Sequence, residues 1–167
     1  MKIAVKDACV LIDLINGGLI GAWFKLGIET WTTDLAIRQV RKESQWPVVE
    51  ALQATGVIKV KSFDDAELKK VRDFQYAASL GIEDQSVLFL ANELKAVLLT
   101  SDKKLRAQAS AAKVRVMGIL GILDELLAQS IITQQSAVEK LQAMMEQGAF
   151  LPSGECQKRL ELWLRSQ

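Results

Sequence analysis

The chain has 167 residues, half of them apolar and a quarter charged, with a net charge of +1. That length supports one domain with a sizeable core, and the charge balance gives no whole-chain reason to bind nucleic acid, so a local basic patch would have to carry that function. There is no histidine, which excludes Ser-His-Asp and Cys-His catalysis, histidine general-base chemistry and most zinc enzymes.

Chemistry is left to carboxylates, lysines, hydroxyls or an oxygen-bound metal. Cys9 and Cys156 lie far apart and form no C-x-x-C pair, so no disulfide framework is expected and a reducing cytoplasm fits. Lys6, Asp7 and Asp13 interrupt the apolar N-terminus, which reads as a strand and helix rather than a signal peptide. No apolar run approaches the roughly eighteen residues of a membrane span.

Lys2 to Lys6 reads as a first strand with Asp7 at its end, and Ala8 to Ile15 as a helix broken by Asn16-Gly-Gly18. Leu19 to Leu26 reads as a second short helix, ended by Gly27. Ile28 to Thr32 alternates and is rich in β-branched and aromatic residues, as in a strand. Thr33 or Asp34 can cap the next helix through a side-chain oxygen. That helix turns Ala36, Ile37 and Val40 inward, and it is expected to carry Gln39 and Glu43 on one edge, four residues apart. Pro47 starts a helix that runs to about Ala54.

Gly56 to Lys61 reads as an edge or half-exposed strand. Asp64-Asp65 opens a helix, the acids matching its positive N-terminal end. Leu68, Val71 and Phe74 give that helix a core stripe and Gly81 is expected to close it. Another helix follows with Asp84 in its first turn and Val87, Leu88, Ala91 and Leu94 at core spacing. Ala96 to Thr100 is a nearly continuous apolar run, as in a strand buried on both faces of a parallel sheet. Asp102 stands where the next helix begins, Val114 to Met117 is a short strand, and Ile119 to Leu127 is an apolar helix. Further on, Ala137, Leu141, Met144 and Met145 form one stripe. Phe150, Leu151 and Pro152 lead to a last helix with Leu160, Trp163 and Leu164.

Strands alternating with helices predict an α/β fold, three layers (α/β/α) around a central parallel sheet with C-terminal helices added. One domain spans 1–167, with a core to about 128 and a helical extension over about 129–167. The extension is expected to cover the sheet or form a dimer face. Three acids recur in one context: Asp7 and Asp102 follow buried strands, and Asp84 opens the helix between them. Sites of open α/β sheets lie beyond the carboxyl ends of the strands. Clustered carboxylates repel and raise one another's pKa, and a hard cation such as Mg²⁺ or Mn²⁺ relieves that repulsion. Thr100 and Ser101 offer hydroxyls nearby. Asp13 and Asp34 read as helix-surface or capping residues, Cys9 as a small buried thiol, and Asp84 rather than Glu83 as the inward acid of its helix.

Lys6-Asp-Ala-Cys-Val-Leu-Ile-Asp-Leu14 resembles the opening motif of PIN-domain proteins. Gly81-Ile-Glu-Asp-Gln-Ser-Val-Leu-Phe-Leu-Ala91 resembles their third acidic motif, and Leu99-Thr-Ser-Asp-Lys-Lys-Leu-Arg106 their fourth. The tail from Val116 to Leu151 is similar to a PIN subgroup with helical C-terminal extensions. The resemblance implies a metal-dependent endoribonuclease, toxin-like, with RNA as substrate and a small antitoxin protein as partner; a homodimer is expected through the helical extension. It implies Asp7, Asp84 and Asp102 as catalytic residues holding Mg²⁺ or Mn²⁺; Gln39 in the second position, Glu43 as helper or bystander and the Ser101 hydroxyl are the further candidate ligands. Lys103, Lys104 and Arg106 then meet RNA phosphates. Where the family carries its second acid this chain has Gln39, with Glu43 one turn on. Gln39 has a carbonyl oxygen but no charge, so a catalytically weak binding module with the PIN fold is the alternative. An α/β phosphotransfer protein fits less well, because Asp7-Ala-Cys9 lacks the second acid of a D-x-D loop.

Overall fold

The computed structural model describes residues 2–41, 43–149 and 151–165, and of Ala77 only the backbone. Phe150, expected to bridge to the last helix, lies outside the described residues. Among those described are five strands, all parallel: β1 (Ile3–Lys6), β2 (Glu29–Thr33), β3 (Ile58–Lys61), β4 (Val97–Leu99) and β5 (Val116–Met117). The sheet order is β3-β2-β1-β4-β5. β1 is central, with β2 and β3 built outward on one side and β4 and β5 on the other. The direction of winding reverses between β1 and β4, so the carboxyl ends of those two strands border a crevice.

Helices cover both faces. Alternation along the strands sends Ala4, Val97 and Leu99 to one face, where they form a core with α1 (Ala8–Asn16), α2 (Ile20–Lys25) and α8 (Ile119–Ala128). Val5 and Leu98 point to the other face, against α3 (Asp34–Val40), α6 (Ile82–Glu93) and α7 (Lys103–Ala111). Two further helices, α4 (Trp46–Ala54) and α5 (Asp65–Asp73), flank β3 in the chain. The three-layer α/β/α expectation matches this architecture.

The extension consists of α9 (Gln134–Glu146) and α10 (Ser153–Arg165). Ala137, Leu141, Met144, Cys156, Leu160 and Trp163 are buried in the same core as Ala4 and Trp23. The helices therefore complete one side of the domain. At the end of α1 the approach is close: a Cβ on Gly17 would lie 2.9 Å from the sulfur of Met144. The Lys140 ammonium donates to the carbonyls of Gly17 and Gly18 at 3.1 and 3.2 Å, a cation at the negative end of a helix. Met145 and Leu164, expected on the apolar stripes, are instead exposed; the neighbours Met144 and Trp163 take the inward positions.

Two helix boundaries also differ from expectation. The helix opened by Asp64 stops at Asp73, because Phe74 turns extended (φ −68°, ψ 107°) and packs edge-on against Tyr76 and Phe89. A 3-10 turn, Gln75–Ala77, follows, and Gly81 becomes the N-cap of α6 rather than the end of a long helix. The helix after β2 stops at Val40. Glu43 lies beyond it, its N–H closing a turn onto the Val40 carbonyl at 2.9 Å, so Gln39 and Glu43 do not share a helical edge.

Candidate active site

Asp7 is the hinge between β1 and α1. Its N–H donates to the Leu99 carbonyl of β4 at 3.2 Å, and its carboxylate accepts the Val10 N–H at 2.8 Å as the N-cap of α1. Asp102 repeats the design after β4, capping α7 by accepting the Leu105 N–H at 2.7 Å. The Thr100 hydroxyl links the two positions: it accepts the Asp102 N–H at 3.1 Å and hydrogen-bonds the Asp7 carboxylate. Two acids at the ends of adjacent strands are thus tied together at the topological switch point.

The third acid arrives on α6. Asp84 stands in its first turn, half-buried. That turn is pinned to the end of β2. The Ser86 hydroxyl donates to the Glu83 carbonyl at 2.6 Å and lies 2.7 Å from the Thr33 hydroxyl. Because the Ser86 proton is already committed, Thr33 is the donor to Ser86, while Thr33 accepts the Ala36 N–H at 3.1 Å and caps α3. Of the two capping candidates, Thr33 therefore holds the role. Asp34 is half-buried: one carboxylate oxygen lies 3.9 Å from Arg38 and the other is buried with no hydrogen-bond partner among the described residues.

Electrostatics report the crowding of these acids. Asp7 is 4% exposed. Burial pushes its carboxyl up to about 7 against the pull of the Thr100 and Val10 hydrogen bonds, and the charges of Asp84 and Asp13 add to the rise. Asp84 is raised by burial, then by Asp102 and Glu83, and lowered by Lys104. The Cys9 thiol is pushed up to about 11 by burial and then by Asp7, Asp13, Asp84 and Asp102. It stays protonated near neutral pH and is no nucleophile.

A cavity of about 540 Å³ opens beside Asp102, lined by Cys9, Asp13, Asn16, Ser101 and Lys103, with Met144 of α9 and Gln147 just after that helix. Asp13 and Asn16 belong here and not to an indifferent surface: Asp13 is half-buried, with its carboxyl raised by desolvation. Their spacing from Cys9, four and seven residues, is the signal that finds them, since it places all three on one edge of α1. Cys9 is solvent-accessible on this edge and only partly desolvated, rather than a buried thiol. Lys103 and Lys104 open α7, and Arg106 follows in the same turn, donating to the Thr100 carbonyl at 3.0 Å. Gln39 is exposed in the last turn of α3, and no hydrogen bond among the described residues ties it to the three aspartates.

Lys6 is a residue that sequence patterning misses. Its side chain is fully buried, its ammonium nitrogen has no hydrogen-bond partner among the described residues, and it lies 3.8 Å from the centre of the Trp23 ring. Desolvation holds its pKa well below the ordinary lysine value.

Among the described residues no three acidic or cysteine side chains converge tightly enough to grip an ion on their own. A divalent ion that keeps several waters needs only one or two carboxylates, the rest of its shell coming from water and substrate phosphate. The candidate donors are carboxylate and hydroxyl oxygens, and Asp7 and Asp84 are each raised by burial and then by a neighbouring acid, a chemistry that fits a hard cation of that kind.

A doubly wound parallel sheet with carboxylates at its switch point defines the class: an α/β protein with an acidic site at the carboxyl ends of its strands. A family model described as PIN domain matches residues 3–165, and the chain belongs to that family. Members of it are generally nucleases. The fold is similar to a PilT N-terminus domain protein from the hyperthermophilic archaeon Sulfolobus solfataricus, at 19% identity and TM-score 0.52, covering 75% of this chain and 93% of that one. It is also similar to PAE2754 from Pyrobaculum aerophilum, at 20% identity and TM-score 0.56, covering 76% and 98%. At these identities the likeness concerns the fold. Among curated proteins none matches the chain significantly.

Proposed function

We propose that this protein is a metal-dependent endoribonuclease working at Asp7, Asp84 and Asp102. The observation that carries the reading is the pair of capping aspartates on adjacent strands, joined through Thr100 and coupled electrostatically to Asp84. Asp7 and Asp102 each direct one oxygen into their own helix, which fixes the carboxylate planes and leaves the second oxygen for other partners. Mg²⁺ or Mn²⁺ bound there would lower the pKa of a coordinated water and offset charge on the phosphodiester. Asp84 adds negative charge that is felt at Asp7 and is moderated by Lys104. Ser101 borders the cavity, and Lys103, Lys104 and Arg106 offer cations to the phosphates on either side of the scissile bond. The lack of histidine and the raised Cys9 thiol leave the carboxylates as the groups that can do hydrolytic work.

A toxin-like role with a small antitoxin partner, a homodimer and a cytoplasmic site of action are part of this reading; the toxin-like role and its partner rest on the family resemblance. No helix among the described residues is long and apolar enough to cross a membrane.

The second reading, a binding module with weak catalysis, is favoured by one feature: Gln39 is uncharged, and Glu43 has left the helix that would have brought it alongside. A single-stranded RNA pool incubated with Mn²⁺, Mg²⁺ or EDTA separates the two. We expect metal-dependent cutting by the native chain, reduced about a hundredfold or more in Asp84→Asn and increased by Gln39→Glu. A silent native chain with an active Gln39→Glu variant would make the natural protein a binding module. Silence in every variant would remove the nuclease.

A further inference from the structure

Beside the acidic cavity lies a second one, of about 610 Å³, that the reaction as described does not use. Its floor is the β5–α8 turn, with Met117, Gly118 and Leu120; its outer wall is Leu151 and Pro152, where α10 begins. The core and the extension therefore build it jointly. Ser101 and Lys103 line both cavities, so the two adjoin.

The charges of this cleft are unevenly matched. Lys103, Arg106 and Arg115 line it, and none of them forms an ion pair among the described residues. Its acid, Glu155, is already held by Lys158 at 2.8 Å and Arg159 at 3.1 Å. Arg159 is in turn clamped onto Asp124, at 2.7 Å for its shortest bond. Three cations remain for an incoming anion. On the opposite edge of the sheet, by contrast, Lys59 and Lys61 are paired with Glu29 and Glu67.

Arg106 is positioned in advance. One terminal nitrogen donates to the Thr100 carbonyl at the end of β4, at 3.0 Å. A Cβ on Gly118 would stand 3.2 Å from that same nitrogen, so the glycine leaves the guanidinium its space. Anchored at one corner, the planar fork still has donors free, and it also offers a flat surface on which a base can stack.

We propose that this cleft seats one nucleotide of single-stranded RNA next to the scissile phosphate, with its base on the aliphatic floor and its phosphate on Arg106 and Lys103. The proposal rests on the ribonuclease reading and adds what selects the substrate. The volume suits a nucleotide-sized ligand, aliphatic walls with a guanidinium accept an unstacked base, and unpaired cations meet its phosphate. A base inside a duplex is stacked and paired and cannot enter, so the cleft makes the enzyme specific for single strands. It also gives the C-terminal extension a role in recognition, through Leu151 and Pro152.

The test uses the full-length protein in EDTA, where nothing is cut. Uridine and adenosine 5′-monophosphate, and inorganic phosphate as a control, are titrated while the methyl resonances of Met117, Leu120 and Leu151 are followed by NMR. We expect both nucleotides to shift these methyls and to bind at least about tenfold more tightly than phosphate. The affinity should fall by about tenfold or more in Arg106→Ala and in Pro152→Glu, which sets a carboxylate on the exposed rim, and hold in Lys59→Ala. Methyls that stay still at millimolar nucleotide overturn the proposal, as do equal losses in Arg106→Ala and Lys59→Ala, or phosphate binding as well as the nucleotides. Cleavage in Mn²⁺ is scored separately. Cutting without methyl shifts sinks this cleft but not the nuclease; shifts without cutting support the nucleotide seat while removing the nuclease.

Discussion

Asp7 is held by opposing forces: a cap and a hydroxyl favour its ionised form, and burial opposes it more strongly. Its carboxyl titrates near 3.8 in the unfolded chain and near 7 in the folded one. Between those values the unfolded chain has lost the proton and the folded chain keeps it, so folding stability falls as pH rises through this window. The full penalty above pH 7 is about 4 kcal/mol. Asparagine at this position keeps the capping oxygen and cannot ionise. In EDTA, Asp7→Asn is expected to melt well above the native chain at about pH 8, with a smaller gain at about pH 5; equal gains at both would contradict the burial argument. Asp7 and Asp102 were legible in the sequence because each terminates an apolar run. Asp13 and Asn16 were legible only in principle, through their helical spacing from Cys9. Lys6 was not legible: alternation puts it on the face of Ala4, but a lysine at a strand end reads as solvated from its charge, and its burial against the Trp23 ring emerges only from the packing.

At the scale of elements, the hydroxyl chain from the Ala36 N–H through Thr33 and Ser86 to the Glu83 carbonyl joins three pieces: the end of β2, the start of α3 and the first turn of α6. All the atoms of that chain are internal, since Thr33 and Ser86 are buried. Thr33→Val keeps the side-chain shape while removing the cap and the partner of Ser86. It should cost about 2 kcal/mol in urea unfolding, and in a nuclease it should also lower kcat by loosening the turn that carries Asp84. Ser86→Ala combined with Thr33→Val should cost less than the sum of the single changes; strict additivity would show that the two hydroxyls act independently. Most element positions followed from periodicity, but two ends did not. The α3 stop at Val40 has no glycine or proline to announce it, and the break at Phe74 depends on distant aromatic partners, notably Phe89. Tertiary contacts outweighed local pattern at both the aromatic break and the exposed positions of Met145 and Leu164.

At the scale of the whole molecule, the extension is part of the core as well as a wall of the nucleotide cleft. Deleting residues 152–167 strips Cys156, Leu160 and Trp163 from a core shared with Trp23 and Leu141, and leaves Asp124 without Arg159. The shortened chain should be aggregation-prone, with a melting temperature well below that of the full chain; an equally soluble product with unchanged melting would show the extension to be dispensable. The strand order has a consequence for biosynthesis. β1 is the earliest in the chain of the described strands and the central one, yet its neighbour β4 begins only at Val97. A nascent chain released from the ribosome any earlier carries Asp7 beside an open sheet edge, without Asp102 or the Leu99 carbonyl that fixes Asp7 in place. A site assembled this way is incomplete until β4 and the start of α7 have been made, so a product terminated before then lacks one of the site's two capping aspartates.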